Sequence, residues 1–189
     1  MSEATLKARS PLDNFHQDFG NLEIREVTGL ALVSIATPLG GETQLEGAMA
    51  SAYKAELPRV GTSTVSGVDD TRFLGLQPGQ MFAMFAHDGD RAVEFVSKKL
   101  GENGYYTDQS DSWVFIQLSG TAARTALERI CPIDIHADAF PIGAVTRTVM
   151  EHLGTIITRT GEDTFVLISA RSSAKSFLHA VLTSVNNVQ

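Results

Sequence analysis

One order of predicted elements occurs twice along this chain, and this repeat restricts the possible folds more than any other feature. Each half shows a strand, a helix, a loop, three strands and a second helix. The halves agree best near their ends, where Phe82 precedes Phe95 much as Phe165 precedes Phe177. A repeat this long indicates an internal duplication, because the repeats of solenoid proteins are only about 20–50 residues long.

The repeat divides the chain into three predicted segments. Residues 1–21 combine charged residues with Pro11 and Gly20 and show no apolar periodicity, so we expect an arm that runs over a surface. Residues 22–104 form the first predicted α+β half and residues 105–189 form the second. The two halves are expected to make one compact unit.

Apolar runs bounded by turn residues predict the strands. In the first half they lie at residues 22–25, 30–36, 61–66, 71–76 and 80–86. In the second half they lie at residues 113–118, 144–149, 154–159 and 164–169, after a short extended piece at 105–107.

Apolar residues at helical spacing predict four helices. The first begins at a predicted capping box of Thr43 and Glu46 and is stopped by Pro58. The apolar faces of the four helices, in chain order, consist of Leu45, Ala48, Met49, Ala52 and Tyr53; of Ala92, Val93, Val96 and Leu100; of Ala123, Ala126, Leu127 and Ile130; and of Ala174, Phe177, Leu178, Val181, Leu182 and Val185. Because the strands are grouped apart from the helices, the predicted class is α+β, with antiparallel or mixed sheets and helices packed on one side.

The charge balance and the apolar runs argue against several kinds of partner. The chain has 22 Asp and Glu against 15 Lys and Arg, a formal net charge of −7, so its surface should repel nucleic acid. Its longest apolar stretch, residues 30–36, is far shorter than the ~20 residues that cross a bilayer. Residues 1–10 include Glu3 and lack the apolar run of a signal peptide. We expect a cytoplasmic protein that binds neither nucleic acid nor membrane.

The polar residues Asp134, His136 and Asp138 form the most suggestive cluster. In an extended segment alternate side chains point to one side, so two carboxylates would flank an imidazole, an arrangement that can bind a metal ion or tune a base. The competing interpretation, favoured by the proline-bounded loop, is a polar turn whose side chains bond nearby backbone groups.

The remaining candidate residues complete no site in the sequence. Cys131 is the only cysteine, which excludes an internal disulfide, and its place before Pro132 favours a small core residue over a nucleophile. None of the five histidines has the i, i+4 spacing of a helical zinc site, and no glycine-rich phosphate loop is present. We therefore assign no catalytic, cofactor-binding or metal-binding residue from the sequence.

Several short motifs are shared with one protein family. They lie at residues 9–12 (RSPL), 75–80 (GLQPGQ), 107–111 (TDQSD), 113–120 (WVFIQLSG), 122–124 (AAR), 131–136 (CPIDIH), 139–141 (AFP) and 164–167 (TFVL), followed by Arg171, Ser172, Ala174, Phe177 and His179. On these residues the chain resembles the γ subunit of heterotetrameric sarcosine oxidase over nearly its whole length.

The resemblance implies a supporting subunit that is not catalytic alone. The resemblance implies a four-chain assembly that converts sarcosine to glycine and hydrogen peroxide. This assembly would pass the one-carbon unit to tetrahydrofolate, which gives methylenetetrahydrofolate. The implied partners are α, β and δ subunits. The implied cofactors are FAD, FMN, NAD and tetrahydrofolate on larger chains and zinc on the smallest, with none bound by this chain. Its implied fold resembles the folate-binding domain of aminomethyltransferases.

Two alternatives remain open. N-methylglutamate dehydrogenases use a similar γ-like chain, and the fold would also suit a stand-alone folate-binding or aminomethyltransferase-like protein.

In the subunit interpretation, residues 1–21 and the loop with Asp134, His136 and Asp138 are candidate interface features, because an arm and a long loop add contact area.

Overall fold

A computed structural model of the protein describes residues 9–189, and apart from its first strand its elements follow the predicted order. The strands are β1 (His16–Asp18), β2 (Glu23–Glu26), β3 (Leu30–Ala36), β4 (Ser63–Val65), β5 (Arg72–Gln77), β6 (Gln80–Ala86), β7 (Tyr105–Asp108), β8 (Trp113–Ser119), β9 (Val145–Met150), β10 (Leu153–Gly161) and β11 (Thr164–Ala170). The helices are α1 (Glu42–Tyr53), α2 (Ala92–Leu100), α3 (Ala123–Glu128) and α4 (Ala174–Asn186). None of these helices is long and apolar enough to cross a bilayer.

The strands form two antiparallel sheets. The six-stranded sheet has the order β1-β2-β8-β11-β10-β9, and the five-stranded sheet has the order β4-β5-β6-β3-β7. Neighbouring strands in both sheets run antiparallel. The predicted α+β class with antiparallel sheets is therefore confirmed.

Alternating side chains show how the two sheets are covered. In β8, Val114 packs with residues of α3 and α4, whereas Phe115 faces the other sheet. In β3, Val33 packs with residues of α1 and α2, whereas Leu32 faces the other sheet. Each sheet therefore carries two helices on its outer face and packs its inner face against the second sheet, in the layer order helix, sheet, sheet, helix.

The contact between the inner faces forms a separate apolar cluster, which we call the inter-sheet core. Its buried members are Leu32, Leu74, Phe82 and Met84 from the five-stranded sheet and Phe115, Val145, Ile156, Val166 and Ile168 from the six-stranded sheet. Strands that are buried on both faces have nearly continuous apolar sequences, which is why residues 30–36 predict β3 with the bounds that the structure shows.

Two strands belong to the sheet of the opposite predicted half. β2 lies within residues 22–104 but pairs with β8 in the six-stranded sheet. β7 lies within residues 105–189 but pairs with β3 in the five-stranded sheet. The division between residues 104 and 105 stays a prediction about the duplication, because strand pairing, unlike a sequence pattern, is set by contacts over long distances.

The start of α1 differs from its prediction. The helix begins at Glu42 behind Gly41, and no side chain bonds to its first turn, so the predicted capping box of Thr43 and Glu46 is wrong. A backbone turn in which Gly41 N–H donates to the Pro38 carbonyl at 2.8 Å leads directly into the helix. Thr43 consequently lies inside the first turn, where its hydroxyl cannot cap the helix.

The end of α1 also differs from its prediction. The helix ends at Tyr53, and Lys54 adopts a left-handed conformation with φ of 53°, well before Pro58. The Tyr53 carbonyl accepts bonds from the Gly67 N–H at 2.9 Å and the Ser66 hydroxyl at 3.1 Å. These tertiary bonds satisfy the last carbonyl and turn the chain away from the helix axis.

The described part of the predicted arm contains a strand that the sequence did not indicate. Residues 16–18 form β1, which pairs with β2 from His16 opposite Arg25 to Asp18 opposite Glu23. No sequence pattern indicated this strand, because all of β1 is exposed and carries no apolar alternation. Residues 1–8 of the predicted arm lie outside the described residues.

The backbones of the two sheets are joined at one edge. Ser63 N–H donates to the Gly143 carbonyl at 2.6 Å, and Val145 N–H donates to the Gly61 carbonyl at 3.0 Å. The segment that makes this link runs tightly along β5, so that a Cβ atom on Gly75 would lie 2.2 Å from the carbonyl oxygen of Arg59.

We predict that Gly75→Ala lowers the free energy of unfolding by about 2–3 kcal/mol, because the backbone of the linking segment has to move. The matched control is Gly47→Ala in α1, where an added Cβ meets no atom within 4 Å. This control should instead raise stability, by up to about 1 kcal/mol. Urea unfolding of both variants checks the prediction, and equal midpoints would contradict it.

Candidate functional site

The polar cluster predicted from the sequence forms a local turn. The Asp134 carboxylate accepts a bond from the His136 N–H at 2.9 Å, and His136 Nδ1 accepts one from the Asp138 N–H at 3.4 Å. Ile135 between them is buried in the core beneath the six-stranded sheet. The polar-turn interpretation is confirmed, and no group of three His, Cys, Asp or Glu side chains within residues 9–189 is placed to hold a metal ion.

Cys131 lies in the core of the six-stranded sheet and its helices. Only 7% of the residue is exposed. Burial raises the pKa of its thiol, because the thiolate would lose its contact with water. The predicted role as a small core residue is confirmed, and the raised pKa makes the thiol a weak nucleophile.

The buried carboxylate of Glu26 binds the segment at the start of the described chain. It accepts bonds from the Ser10 hydroxyl, from the Leu12 N–H at 3.2 Å and from the Asn14 N–H at 2.9 Å. Glu26 is 8% exposed, and these three donors replace the water that its carboxylate loses. We call this group of four residues the N-terminal clamp.

A cleft of about 410 Å³ lies beside the N-terminal clamp. Its lining includes Trp113, His87 and Arg171, and the Arg171 guanidinium donates to the Arg9 carbonyl at 2.6 Å. The buried Nε1 of Trp113 has no hydrogen-bond partner among residues 9–189. Because Glu26 and Arg171 are both held by the N-terminal segment, the geometry assigns neither group to proton transfer.

A second cavity, of about 640 Å³, lies beside the turn between β5 and β6. Leu57, Pro58, Val60 and Met81 give it an apolar wall. No sequence pattern marked this cavity, because its walls come from α1, the loop after α1 and the β5–β6 turn, which are far apart in the chain. The only signal was the family-like motif at residues 75–80, which supplies one wall.

A partly buried ion pair ties α2 to the turn before β5. Lys99 donates to the Asp69 carboxylate, and its Nζ lies 4.5 Å from the ring centroid of Tyr53 and 4.4 Å from that of Phe95. Burial by itself would raise the pKa of Asp69, but hydrogen bonds from Lys99, Thr71 and Ser66 outweigh it and lower the pKa to about 2. No sequence motif marked this pair, because its members come together only in the tertiary structure.

Residues 40–185 match the sequence pattern of the sarcosine oxidase, gamma subunit family, and this match covers more than half of the chain. The chain belongs to this family. The predicted resemblance is thereby confirmed, and the match also covers the first half from residue 40 onward, where the sequence motifs were sparse.

Two curated relatives are similar along most of their length. The chain is 26% identical to sarcosine oxidase subunit gamma of Corynebacterium sp. (strain P-1) over 191 residues, which cover 97% of this chain and 93% of the relative. It is 26% identical to sarcosine oxidase subunit gamma of Arthrobacter sp over 172 residues, which cover 88% of this chain and 84% of the relative.

Two solved structures share the fold. A chain of the heterotetrameric sarcosine oxidase from Corynebacterium sp. U-96, in complex with pyrrole 2-carboxylate, matches with a TM-score of 0.79 and 24% identity over 95% of both chains. The glycine cleavage system aminomethyltransferase T from Bartonella henselae matches with a TM-score of 0.61 and 16% identity, over 83% of this chain and 44% of that protein. The predicted aminomethyltransferase-like fold is confirmed.

We predict that Glu26→Ala releases the N-terminal segment from the sheet, because two backbone N–H groups and a hydroxyl lose their buried acceptor. The amides of Leu12 and Asn14 should then exchange with deuterium about tenfold faster or more. Glu23→Ala on the same strand is the control, since within residues 9–189 its carboxylate pairs only with His16, at 3.1 Å at the surface. Unchanged exchange at both amides in the Glu26 variant would contradict the clamp.

We predict that the Lys99–Asp69 pair makes stability depend on acidity below about pH 4. The pKa of Asp69 in the fold, about 2, lies below the ~3.9 of an unfolded aspartate. The ionised carboxylate therefore stabilises the fold fully above about pH 4, and this stabilisation is lost as the pH falls towards 2. Asp69→Asn should lower the free energy of unfolding at neutral pH by roughly 1–2 kcal/mol and flatten its dependence between pH 4 and 2. Asp70→Asn, next to it at an exposed position, should change neither quantity appreciably. Denaturant unfolding across this pH range tests both expectations, and parallel pH curves for the wild type and Asp69→Asn would reject the assignment.

Proposed function

We propose that this chain is the non-catalytic γ subunit of a heterotetrameric sarcosine oxidase. The observation that carries the proposal is the family match over residues 40–185, and relatives named as gamma subunits that are similar along most of their length support it. On this proposal the chain assembles with α, β and δ subunits. The complex converts sarcosine to glycine and hydrogen peroxide and transfers the one-carbon unit to tetrahydrofolate.

The state of the candidate reactive groups supports a structural role for this subunit. Cys131 is a buried thiol with a raised pKa. Asp134 and His136 accept bonds from the backbone of their own turn. The Glu26 carboxylate is held by the N-terminal segment. Each group is therefore already engaged in a contact that stabilises this chain, and the proposal assigns the oxidation to other subunits.

The proposal also places the cofactors on the partner chains. FAD, FMN, NAD and tetrahydrofolate belong to larger subunits and zinc to the smallest one. Sarcosine oxidation removes two electrons with a hydrogen from a carbon next to the nitrogen, so that the carbon–nitrogen single bond becomes a double bond, and a flavin accepts such electrons. In this arrangement the γ subunit contributes surface and shape to the assembly through its aminomethyltransferase-like fold.

Purification of the tagged full-length chain from its native host tests the proposal. We expect a yellow, flavin-bearing chain to co-elute in equal amounts, and the complex to produce hydrogen peroxide when sarcosine is added. The chain alone should neither bind tetrahydrofolate nor oxidise sarcosine. Oxidation of N-methylglutamate but not of sarcosine by the complex would contradict the proposed substrate, and turnover by the isolated chain would contradict its non-catalytic role.

A further inference from the structure

Beyond Val145, whose N–H donates to the Gly61 carbonyl at 3.0 Å, β9 is an open edge of the six-stranded sheet. It pairs with β10 on one side and ends the strand order on the other. It is six residues long, whereas the other strands that end the two sheets are shorter, with three residues in β1 and β4 and four in β7. Short edge strands are one of the ways in which proteins prevent pairing with other chains. β9 lacks this protection.

The backbone of β9 presents hydrogen-bonding groups along this edge. Just before β9, the Ala144 carbonyl accepts a bond from the Arg159 N–H at 3.0 Å. In an antiparallel pair alternate residues direct their backbone groups to the partner strand, so the even-numbered residues of β9 face β10. Arg147 and Val149 therefore direct N–H and C=O groups away from the sheet. The Arg147 carbonyl also receives a long bond of 3.4 Å from the Thr146 hydroxyl.

The side chains beside these groups combine a positive charge with an apolar surface. Arg147 is exposed, and its guanidinium lies over the ring of Phe82 at 5.4 Å from the centroid, which holds the charge at the rim of the inter-sheet core. Arg147 takes part in none of the ion pairs found within residues 9–189. Val149, on the same face of the strand, is 53% exposed.

This combination specifies the chemistry of a complementary strand. The chain has a net charge of −7, yet this edge carries an arginine whose charge meets no carboxylate of the described chain. A strand laid beside β9 would place alternate side chains directly opposite Arg147 and Val149. An acidic residue and an apolar residue two positions apart would match both.

We propose that β9 receives an extended segment of another subunit of the oxidase, which lengthens the six-stranded sheet by one strand. The segment bonds to the outward backbone groups of Arg147 and Val149, as in other cases of strand addition. It carries an acidic residue opposite Arg147 and an apolar residue opposite Val149. The inference rests on the proposed function, because it requires an assembly to which the chain belongs.

Amide exchange in the wild-type protein tests the strand addition directly. In the isolated full-length chain the amides of Arg147 and Val149 should exchange quickly, whereas in the assembled complex they should exchange at least about tenfold more slowly. The amides of Thr146 and Thr148 face β10 and serve as internal controls, because they should be protected in both states. Equal exchange of the Arg147 and Val149 amides in the two states would overturn the inference.

Variants of the edge test its chemistry. The double variant Arg147→Glu with Val149→Lys should lower the recovery of at least one partner chain with the tagged protein about tenfold or more. The matched control is Arg91→Glu, which reverses an exposed arginine just before α2, away from this edge. It should leave recovery unchanged. The isolated double variant should keep the unfolding midpoint of the wild type, because both side chains are exposed.

The outcomes separate this inference from the proposed function. If the wild type and the double variant recover every partner chain equally, the flavin-bearing chain included, the strand addition is wrong and the γ-subunit proposal stands. If the wild type recovers no flavin-bearing chain, both are wrong. Loss of recovery in the double variant alone, together with slowed exchange at Arg147 and Val149, supports the strand addition.

Discussion

The apolar contact between the inner faces of the two sheets is the interaction on which the rest of the structure depends. Residues such as Leu32 and Phe82 meet Phe115 and Ile168 across it. Helices cover only the outer faces, so either sheet alone would expose these side chains, each of which stabilises the fold by about 1.5–3 kcal/mol when buried. Because β2 and β7 cross between the predicted halves, each sheet also needs chain from both of them. The molecule therefore has to form as one unit.

Polar contacts at the periphery then attach the remaining segments to this double sheet. The Glu26 carboxylate holds the N-terminal segment, and the Lys99–Asp69 pair holds α2 against the turn before β5. Each of these buried or partly buried charges is paired with a group of the same chain, which offsets the cost of removing it from water. These contacts leave the outer strands and helices of the double sheet as the surface that the chain can offer to other chains. An open sheet edge such as β9 is the part of that surface most directly suited to backbone pairing.

Much of the fold could be predicted because burial leaves a periodic trace in the sequence. β3 is apolar along its whole length since both of its faces are covered, and α4 carries its apolar stripe on one face. The predictions failed where burial left no trace. β1 is fully exposed, and α1 ends where Ser66 and Gly67 bind its last carbonyl, not where a proline stands. The polar cluster around His136 was interpretable from its proline-bounded loop, whereas the Lys99–Asp69 pair joins residues that no short motif could connect.

Apart from β1, the sequence by itself determined the types of the elements and their order, the α+β class and the family to which the chain belongs. Local periodicity and short motifs carry that information, because each depends on residues close together in the chain. Only the tertiary structure decided which sheet each strand joins, which carboxylates are buried and bonded, and that β9 keeps an open edge with Arg147 and Val149 beside it. Those features depend on pairings between residues far apart in the chain, and a strand's own sequence does not specify its neighbour.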